Sequence, residues 1–107
     1  SRDFTFVANA VDANVAALFT TNKAAVNQVY NIACGEQTSL LQLFEAIREE
    51  AKSQLSPQHG PERAGDVKHS LADISKAKEL LGYQAAVTVD KGLRTTFAWY
   101  KNNPDRL

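Results

Sequence analysis

Apolar residues recur every three or four positions between residues 7 and 19, the spacing that places side chains on one face of an α-helix. Asn9 and Asp12 fall on the other faces of this predicted helix. Directly before it, Phe4 and Phe6 flank a threonine in the alternation typical of a short strand with one apolar face. The pattern therefore predicts a strand that leads straight into a helix. The apolar positions of the helix are Val7, Ala10, Val11, Val15, Leu18 and Phe19.

A second compact apolar run, residues 28–32, is followed by the turn 33–35 and predicts a short buried strand. Ser39 then forms a capping-box pattern with Gln42, which predicts the start of a helix. We expect this helix to end near Ser53, ahead of a loop made of polar residues, glycine and proline. Its apolar face consists of Leu40, Leu43, Phe44, Ile47 and Ala51.

Two further helices are predicted in the second half of the chain. Asp73 is expected to cap a short helix that runs to Leu81 and is stopped by Gly82. Thr88 is expected to cap the last helix, which ends before Pro104. The whole pattern predicts one small α/β unit of about four helices and two or three short strands.

Composition narrows the class of protein. The chain has 107 residues, 44% of them apolar and 22% charged, with a net charge of zero, as in an ordinary globular domain. A neutral balance with scattered cations argues against a nucleic-acid partner. The absence of a long apolar run or a signal segment argues against a membrane and favours the cytoplasm. The single cysteine, Cys34, excludes an internal disulfide and argues against a zinc site, so no metal is expected.

Residues 61–83 hold the candidate chemistry. An arginine, Arg63, and an aspartate, Asp66, lie within one turn-rich stretch, and such a pairing can hold the phosphate and the ribose of a nucleotide. On spacing alone, a local ion pair between the two that stabilises the turn is the favoured alternative. His59 and His69 have no partner at a spacing that indicates acid–base catalysis.

Several segments together resemble a known family. These segments occur in the order in which the family has them. With them the chain resembles the C-terminal substrate-binding part of the extended short-chain dehydrogenases/reductases, the NAD-dependent nucleotide-sugar epimerases and dehydratases. Within that family it is most similar to the UDP-N-acetylglucosamine 4-epimerases. The segments that carry the resemblance are Ser1–Val7, Val29–Gly35, Arg63–Val67, His69–Ser70, Ala72–Ala77, Leu81–Tyr83, Gly92–Leu93 and Trp99–Tyr100.

The resemblance implies roles for four residues. Arg2 and Arg63 would grip the diphosphate of a UDP-sugar, since a guanidinium fork gives two parallel charge-assisted hydrogen bonds to phosphate oxygens. Asp66 would accept hydrogen bonds from the ribose hydroxyls. Ser70 would lie against the sugar ring, and its small volume would leave room for a 2-N-acetyl group, as in UDP-GlcNAc or UDP-GalNAc. For Arg2, a solvated surface charge is the alternative in the absence of the family match.

Two parts of the family's machinery do not occur in this sequence. It contains no glycine-rich turn for the NAD pyrophosphate, and none of its three tyrosines has lysine four positions later. We therefore expect residues 1–107 to be a substrate-binding domain without catalytic or cofactor-binding residues, while an NAD-binding Rossmann domain is absent.

The resemblance implies that the parent enzyme is a homodimer. With NAD it would oxidise C4, let the 4-keto sugar rotate and reduce it on the other face. Another dehydratase or reductase on the same scaffold and a non-catalytic interaction module are the alternatives.

Overall fold

Each of the four predicted helices is present in the computed structural model, which describes residues 1–106. Two short 3₁₀ turns, Lys23–Ala25 and Pro104–Arg106, accompany them. Among residues 1–106, no helix is long and apolar enough to cross a membrane, and no cluster of three or more metal-ligating side chains occurs. The helices are α1 (Val7–Phe19), α2 (Leu40–Glu50), α3 (Ser75–Leu81) and α4 (Val89–Asn102).

Local capping signals set the helix ends. At the start of α2, the Ser39 hydroxyl accepts a hydrogen bond from the Gln42 N–H at 3.1 Å, and the Gln42 side chain accepts one from the Ser39 N–H at 2.8 Å. This reciprocal pair confirms the capping box. Thr88 caps α4 as predicted, by accepting from the Lys91 N–H.

The short helix α3 also ends as predicted, but its start differs. Gly82 follows α3 with a φ of 65°, the left-handed conformation that stops a helix. Its formal N-cap is Ile74 and not Asp73. The Asp73 carboxylate nevertheless accepts from the Ser75 N–H at 2.9 Å, and its hydrogen bonds from the Ser75 hydroxyl and backbone lower the pKa of this carboxyl group.

The strand prediction needs correction. Strand pairing within residues 1–106 is confined to one isolated antiparallel bridge, in which Arg2 and Thr38 exchange backbone hydrogen bonds of 3.0 and 2.9 Å. Residues 4–6 and 28–32 run without such pairing. A β-strand is defined by its hydrogen bonds to an adjacent strand. Among residues 1–106, no adjacent strand pairs with either of these two segments.

Small side chains form most of the core. Tyr83 closes this cluster, and its hydroxyl donates to the Ala33 carbonyl oxygen at 2.6 Å. The buried members are Ala13, Ala33, Ile74, Ala77 and Tyr83.

The orientation of α1 is the opposite of what its apolar pattern suggests. The residues that α1 buries are Asn9 and Ala13. Asn9 is fully buried, and its amide both donates to the Val87 carbonyl at 2.8 Å and accepts from the Val87 N–H at 3.0 Å. The large apolar side chains of the helix, here named the α1 stripe, face outward instead. They are Val7, Val11, Val15, Leu18 and Phe19, between 49% and 76% exposed.

A close approach fixes the segment before α1 against the last helix. A Cβ atom added at Gly92 of α4 would lie 2.9 Å from the Cβ atom of Phe6. Only glycine leaves room for this contact, because the colliding Phe6 atom is next to the backbone. Helix α4 also contacts α2, and the Arg94 guanidinium lies 3.0 Å from the Glu50 carboxylate across this pair.

Candidate functional site

Three of the four predicted ligand-binding residues line one cleft of about 470 Å³, here named the arginine cleft. It lies between the start of the chain, the first residue of α2 and the loop of residues 60–68. Arg2, Arg63 and Asp66 come together there although 64 positions separate Arg2 from Asp66. The lining residues are Ser1, Arg2, Leu40, Gly60, Pro61, Glu62, Arg63, Asp66, Val67 and Lys68.

Arg2 is held in this cleft from both its backbone and its side chain. Its peptide group pairs with Thr38 just before α2. Its guanidinium donates to the Asp66 carboxylate at 2.7 Å, to the Ser1 carbonyl at 2.9 Å and to the Lys68 carbonyl at 3.3 Å. The Arg2 side chain is 31% exposed, so it is not the freely solvated charge that its position near the first residue allows.

The relation between Arg63 and Asp66 is different from the local ion pair considered from spacing. A backbone hydrogen bond of 3.2 Å joins the Asp66 N–H to the Arg63 carbonyl, and Gly65 has a φ of 79° between them. The Asp66 carboxylate turns to Arg2 instead. Among residues 1–106, no carboxylate lies within salt-bridge distance of the Arg63 guanidinium, and Arg63 is exposed where it lines the cleft.

Ser70 does not line the cleft. It is exposed, and its N–H donates to the Ser1 carbonyl at 3.2 Å. His69 is next to it, with Nδ1 2.9 Å from the Ser1 hydroxyl oxygen. The structure thus brings together Arg2, Arg63 and Asp66 and leaves Ser70 beyond the edge of the same cleft.

Asp3 organises the base of the site, and sequence reasoning missed it. Its carboxylate accepts hydrogen bonds from the N–H groups of Cys34 at 2.9 Å, Gly35 at 3.0 Å and Ala72 at 3.4 Å. These partners lie 31 to 69 positions away along the chain, so no local pattern indicates them. One carboxylate therefore ties the segment that carries Arg2 to two other loops.

Leu40 was also missed. This first residue of α2 is 67% exposed although it is apolar, and it lines the cleft beside the charged groups. The apolar spacing of the helix assigned Leu40 to its apolar face, and no feature of that spacing indicates a surface role.

Cys34 is buried and has no features of a nucleophile. Burial raises the pKa of its thiol, and the negative charges of Glu36 and Asp3 add to this effect. The thiol is therefore protonated at neutral pH, which suits a small packing residue.

Comparisons with known proteins give the class. A family profile described as GDP-mannose 4,6 dehydratase matches residues 1–96. The UDP-glucose 4-epimerase of Mycolicibacterium smegmatis is 33% identical over 102 residues, which are 95% of this chain and 32% of that protein.

Comparison with solved structures indicates the same class of protein. The crystal structure of the UDP-glucose 4-epimerase of Thermotoga maritima with UDP-glucose superposes with a TM-score of 0.86 at 33% identity, covering 95% of this chain and 32% of that one. The UDP-glucose 4-epimerase of Bifidobacterium longum in complex with NAD+ and UDP superposes with a TM-score of 0.82 at 27% identity, covering 98% and 31%.

These matches place the chain among the extended short-chain dehydrogenases/reductases, in the group of nucleotide-sugar epimerases and dehydratases, as a piece of their Rossmann-type α/β fold. The chain belongs to the family described as GDP-mannose 4,6 dehydratase, and the relatives named above are UDP-glucose 4-epimerases. The predicted fold class is thereby confirmed. The chain spans about a third of the length of these relatives.

Proposed function

We propose that residues 1–107 are the sugar-nucleotide-binding domain of an NAD-dependent UDP-sugar 4-epimerase. The observation that carries this proposal is the arrangement of Arg2, Arg63 and Asp66 around one open cleft. Two of the superposed structures support the choice of ligand, since one is a complex with UDP-glucose and the other a complex with UDP.

The two arginines differ in the contacts that they make before a ligand binds. Arg63 is without a carboxylate partner among residues 1–106, so its guanidinium can take a phosphate group without breaking an ion pair. Arg2 is already oriented by Asp66 and by two carbonyl groups, and this reduces the conformational entropy that it loses on binding. A diphosphate between them would receive charge-assisted hydrogen bonds from both sides of the cleft.

The chain's residues do not fit the NAD cofactor itself. A pyrophosphate site of the Rossmann kind needs a glycine-rich turn before a helix N-terminus, and no such sequence precedes any helix here. We assign no hydride-transfer step to these residues. In our proposal their part is to hold the nucleotide, while the cofactor belongs to an NAD-binding domain of a longer polypeptide.

For the sugar, we propose an N-acetylated hexose, as in UDP-GlcNAc or UDP-GalNAc. Ser70 follows Arg63 by seven positions and is a small, exposed residue beside the cleft, so a bulky 2-substituent meets little steric hindrance there. A plain hexose is the second candidate, and the names of the UDP-glucose 4-epimerase relatives favour it.

Calorimetric titration of UDP into the protein tests the binding role. We expect Arg63→Ala to weaken UDP binding about 10- to 100-fold, because a charge-assisted hydrogen bond to phosphate is lost. Arg94→Ala is the matched control, since it removes an arginine of a surface ion pair that lies outside the cleft. Equal affinities of the two variants, or no saturable UDP binding by the unaltered protein, would contradict the proposal.

The choice of sugar is tested by Ser70→Tyr. Tyrosine fills the space that we assign to the N-acetyl group, so we expect UDP-GlcNAc affinity to fall about 10-fold or more while UDP-glucose affinity changes less than about 3-fold. Competition titrations against UDP measure both. If the two sugar nucleotides lose affinity equally, Ser70 does not select the sugar, even though the nucleotide site stands.

A further inference from the structure

His69 is an exposed histidine next to Ser70, and no step of the proposed function uses it. Its Nδ1 atom lies 2.9 Å from the Ser1 hydroxyl oxygen and 3.4 Å from the Ser1 nitrogen. The Ser1 nitrogen can only donate, so these contacts assign the acceptor role to Nδ1 and place the ring proton on Nε2. The Ser1 hydroxyl then donates to the same Nδ1 atom. His69 therefore holds Ser1 through two donors.

Two backbone hydrogen bonds hold Ser1 in the same place. The Ser1 nitrogen donates to the Lys68 carbonyl at 2.9 Å, and the Ser70 N–H donates to the Ser1 carbonyl at 3.2 Å. Lys68 and Ser70 flank His69 in the sequence, so Ser1 lies opposite the histidine. We name Ser1, Lys68, His69 and Ser70 the His69 clasp. It joins residue 1 to the segment that directly follows the arginine cleft loop.

The His69 clasp also supplies the carbonyl groups that orient Arg2. The Arg2 Nη1 atom donates to the Ser1 carbonyl at 2.9 Å and to the Lys68 carbonyl at 3.3 Å. The Nη2 atom donates to Asp66, two residues before Lys68. A shift of Ser1 away from residues 68–70 would separate the two carbonyl groups, and Nη1 could no longer reach both. The path from His69 to the Arg2 guanidinium therefore runs through Ser1.

We propose that His69 is a positioning residue for nucleotide binding, which holds Ser1 where two carbonyl groups aim the Arg2 guanidinium at the diphosphate. The inference rests on the proposed function, in which Arg2 binds that diphosphate. The imidazole itself does not touch the ligand. It restricts Arg2 before binding, so less conformational entropy is lost when the diphosphate arrives, and the effect is on affinity.

Two other roles for His69 predict different results. A contact between the imidazole and the sugar would affect the binding of a UDP-sugar and leave the binding of UDP unchanged. A purely structural hydrogen bond would affect the free energy of unfolding and leave both affinities unchanged. The positioning role predicts an equal loss for UDP and for UDP-sugars.

Calorimetric titration of UDP tests the proposal. His69→Phe keeps a flat ring and removes the acceptor, so we expect UDP affinity to fall about 3- to 10-fold. His69→Asn retains an acceptor atom close to the position of Nδ1 and should bind UDP within about 2-fold of the unaltered protein. His59→Phe is the matched control, since His59 is exposed and does not line the arginine cleft. Equal UDP affinities of His69→Phe and His59→Phe would overturn the proposal.

Combined substitutions show whether the effect passes through Ser1 and Arg2. Ser1→Ala removes the hydroxyl donor, and we expect the double variant with His69→Phe to bind UDP no more weakly than His69→Phe alone. In Arg2→Ala protein, His69→Phe should change UDP affinity by less than about 2-fold. A full loss on His69→Phe in that background would contradict the proposal, because the imidazole would then act without Arg2. A loss confined to UDP-GlcNAc would contradict it as well.

Nitrogen NMR of the arginine side chains keeps this inference apart from the proposed function, because it needs no ligand. We expect rotation about the Arg2 Cζ–Nη bonds to be at least about 3-fold faster in His69→Phe than in the unaltered protein or in His59→Phe. Unchanged rotation in His69→Phe would refute the positioning role even in a protein that binds UDP. Faster rotation in a protein without saturable UDP binding would refute the nucleotide site and support the hold of His69 on Arg2.

Discussion

Asp3 shows how one side chain can position a site that it does not line. Its carboxylate accepts from backbone N–H groups at Cys34, Gly35 and Ala72, while the neighbouring Arg2 points into the arginine cleft. Because Asp3 and Arg2 are consecutive residues, a displacement of the Asp3 backbone also displaces the backbone of Arg2. Asp3 is a positioning residue for the cleft.

Asp3→Asn should destabilise the protein and weaken nucleotide binding together. The amide group places a donor against at least one of the N–H groups, so we expect the free energy of unfolding to fall by about 1 to 3 kcal/mol. Urea denaturation measures this loss, and Asp12→Asn, an exposed acid on α1, is the control.

A titration of UDP under native conditions completes the test of Asp3. We expect a loss of affinity of at least about 3-fold in Asp3→Asn at a temperature where it is fully folded. A stability loss with unchanged UDP affinity would mean that Asp3 supports the fold but does not position Arg2.

At the level of single residues, sequence reasoning selected Arg2, Arg63 and Asp66, and the structure places all three in one cleft. Their roles toward a nucleotide remain proposals. The ion pair between Arg2 and Asp66 was not predictable, because spacing along the chain suggests a partner three residues away and the actual partner lies 64 away. The hydrogen bonds of Asp3 were not predictable for the same reason, because its partners lie 31 to 69 positions away.

Helices and strands differ in how far the sequence could predict them. The starts of α2 and α4 and the end of α3 follow signals within three residues, such as the Ser39 capping box and the left-handed Gly82, and these were confirmed. The end of α2 was predicted near Ser53 and lies at Glu50. The pairing of a strand and the face that a helix buries are set by residues distant along the chain, as the unpaired segments and the outward α1 stripe show. Local pattern predicts that α1 is amphipathic, but not which neighbour its apolar face contacts.

Gly92→Ala tests how α4 packs against the segment that precedes α1. Alanine favours a helix by about 1 kcal/mol over glycine, but its Cβ would lie 2.9 Å from the Phe6 Cβ, so the backbone must move. We expect a net loss of about 1 to 2 kcal/mol in the free energy of unfolding, measured in urea.

Gly60→Ala is the matched control for this substitution. A Cβ atom there would meet nothing within 4 Å, so its free energy of unfolding should change by less than about 0.5 kcal/mol. If Gly92→Ala is as stable as the unaltered protein, the contact with Phe6 does not constrain α4.

For the molecule as a whole, the apolar core is small because many large apolar side chains lie on the surface. The buried apolar cluster consists mainly of alanines, with Ile74 and Tyr83 as its large members, while the valines, Leu18 and Phe19 of the α1 stripe are exposed. Alanine side chains bury little apolar area, so these contacts stabilise the fold weakly. The apolar content of the sequence predicts a better core than residues 1–106 build, because much of it lies on the uncovered surface.

Under the proposed function, the ion pair between Arg2 and Asp66 also affects which anions the cleft would distinguish. Asp66 acts as a resident counter-ion, and an incoming ligand must compete with it for Arg2 across a distance of only 2.7 Å. A simple anion such as chloride or sulfate gains only Arg63 and leaves that competition unresolved. Under the proposed function, a ligand that reaches both arginines and also offers hydroxyl donors to the released Asp66 would replace every bond that it breaks, so we expect the cleft to discriminate by ligand reach and not by charge alone.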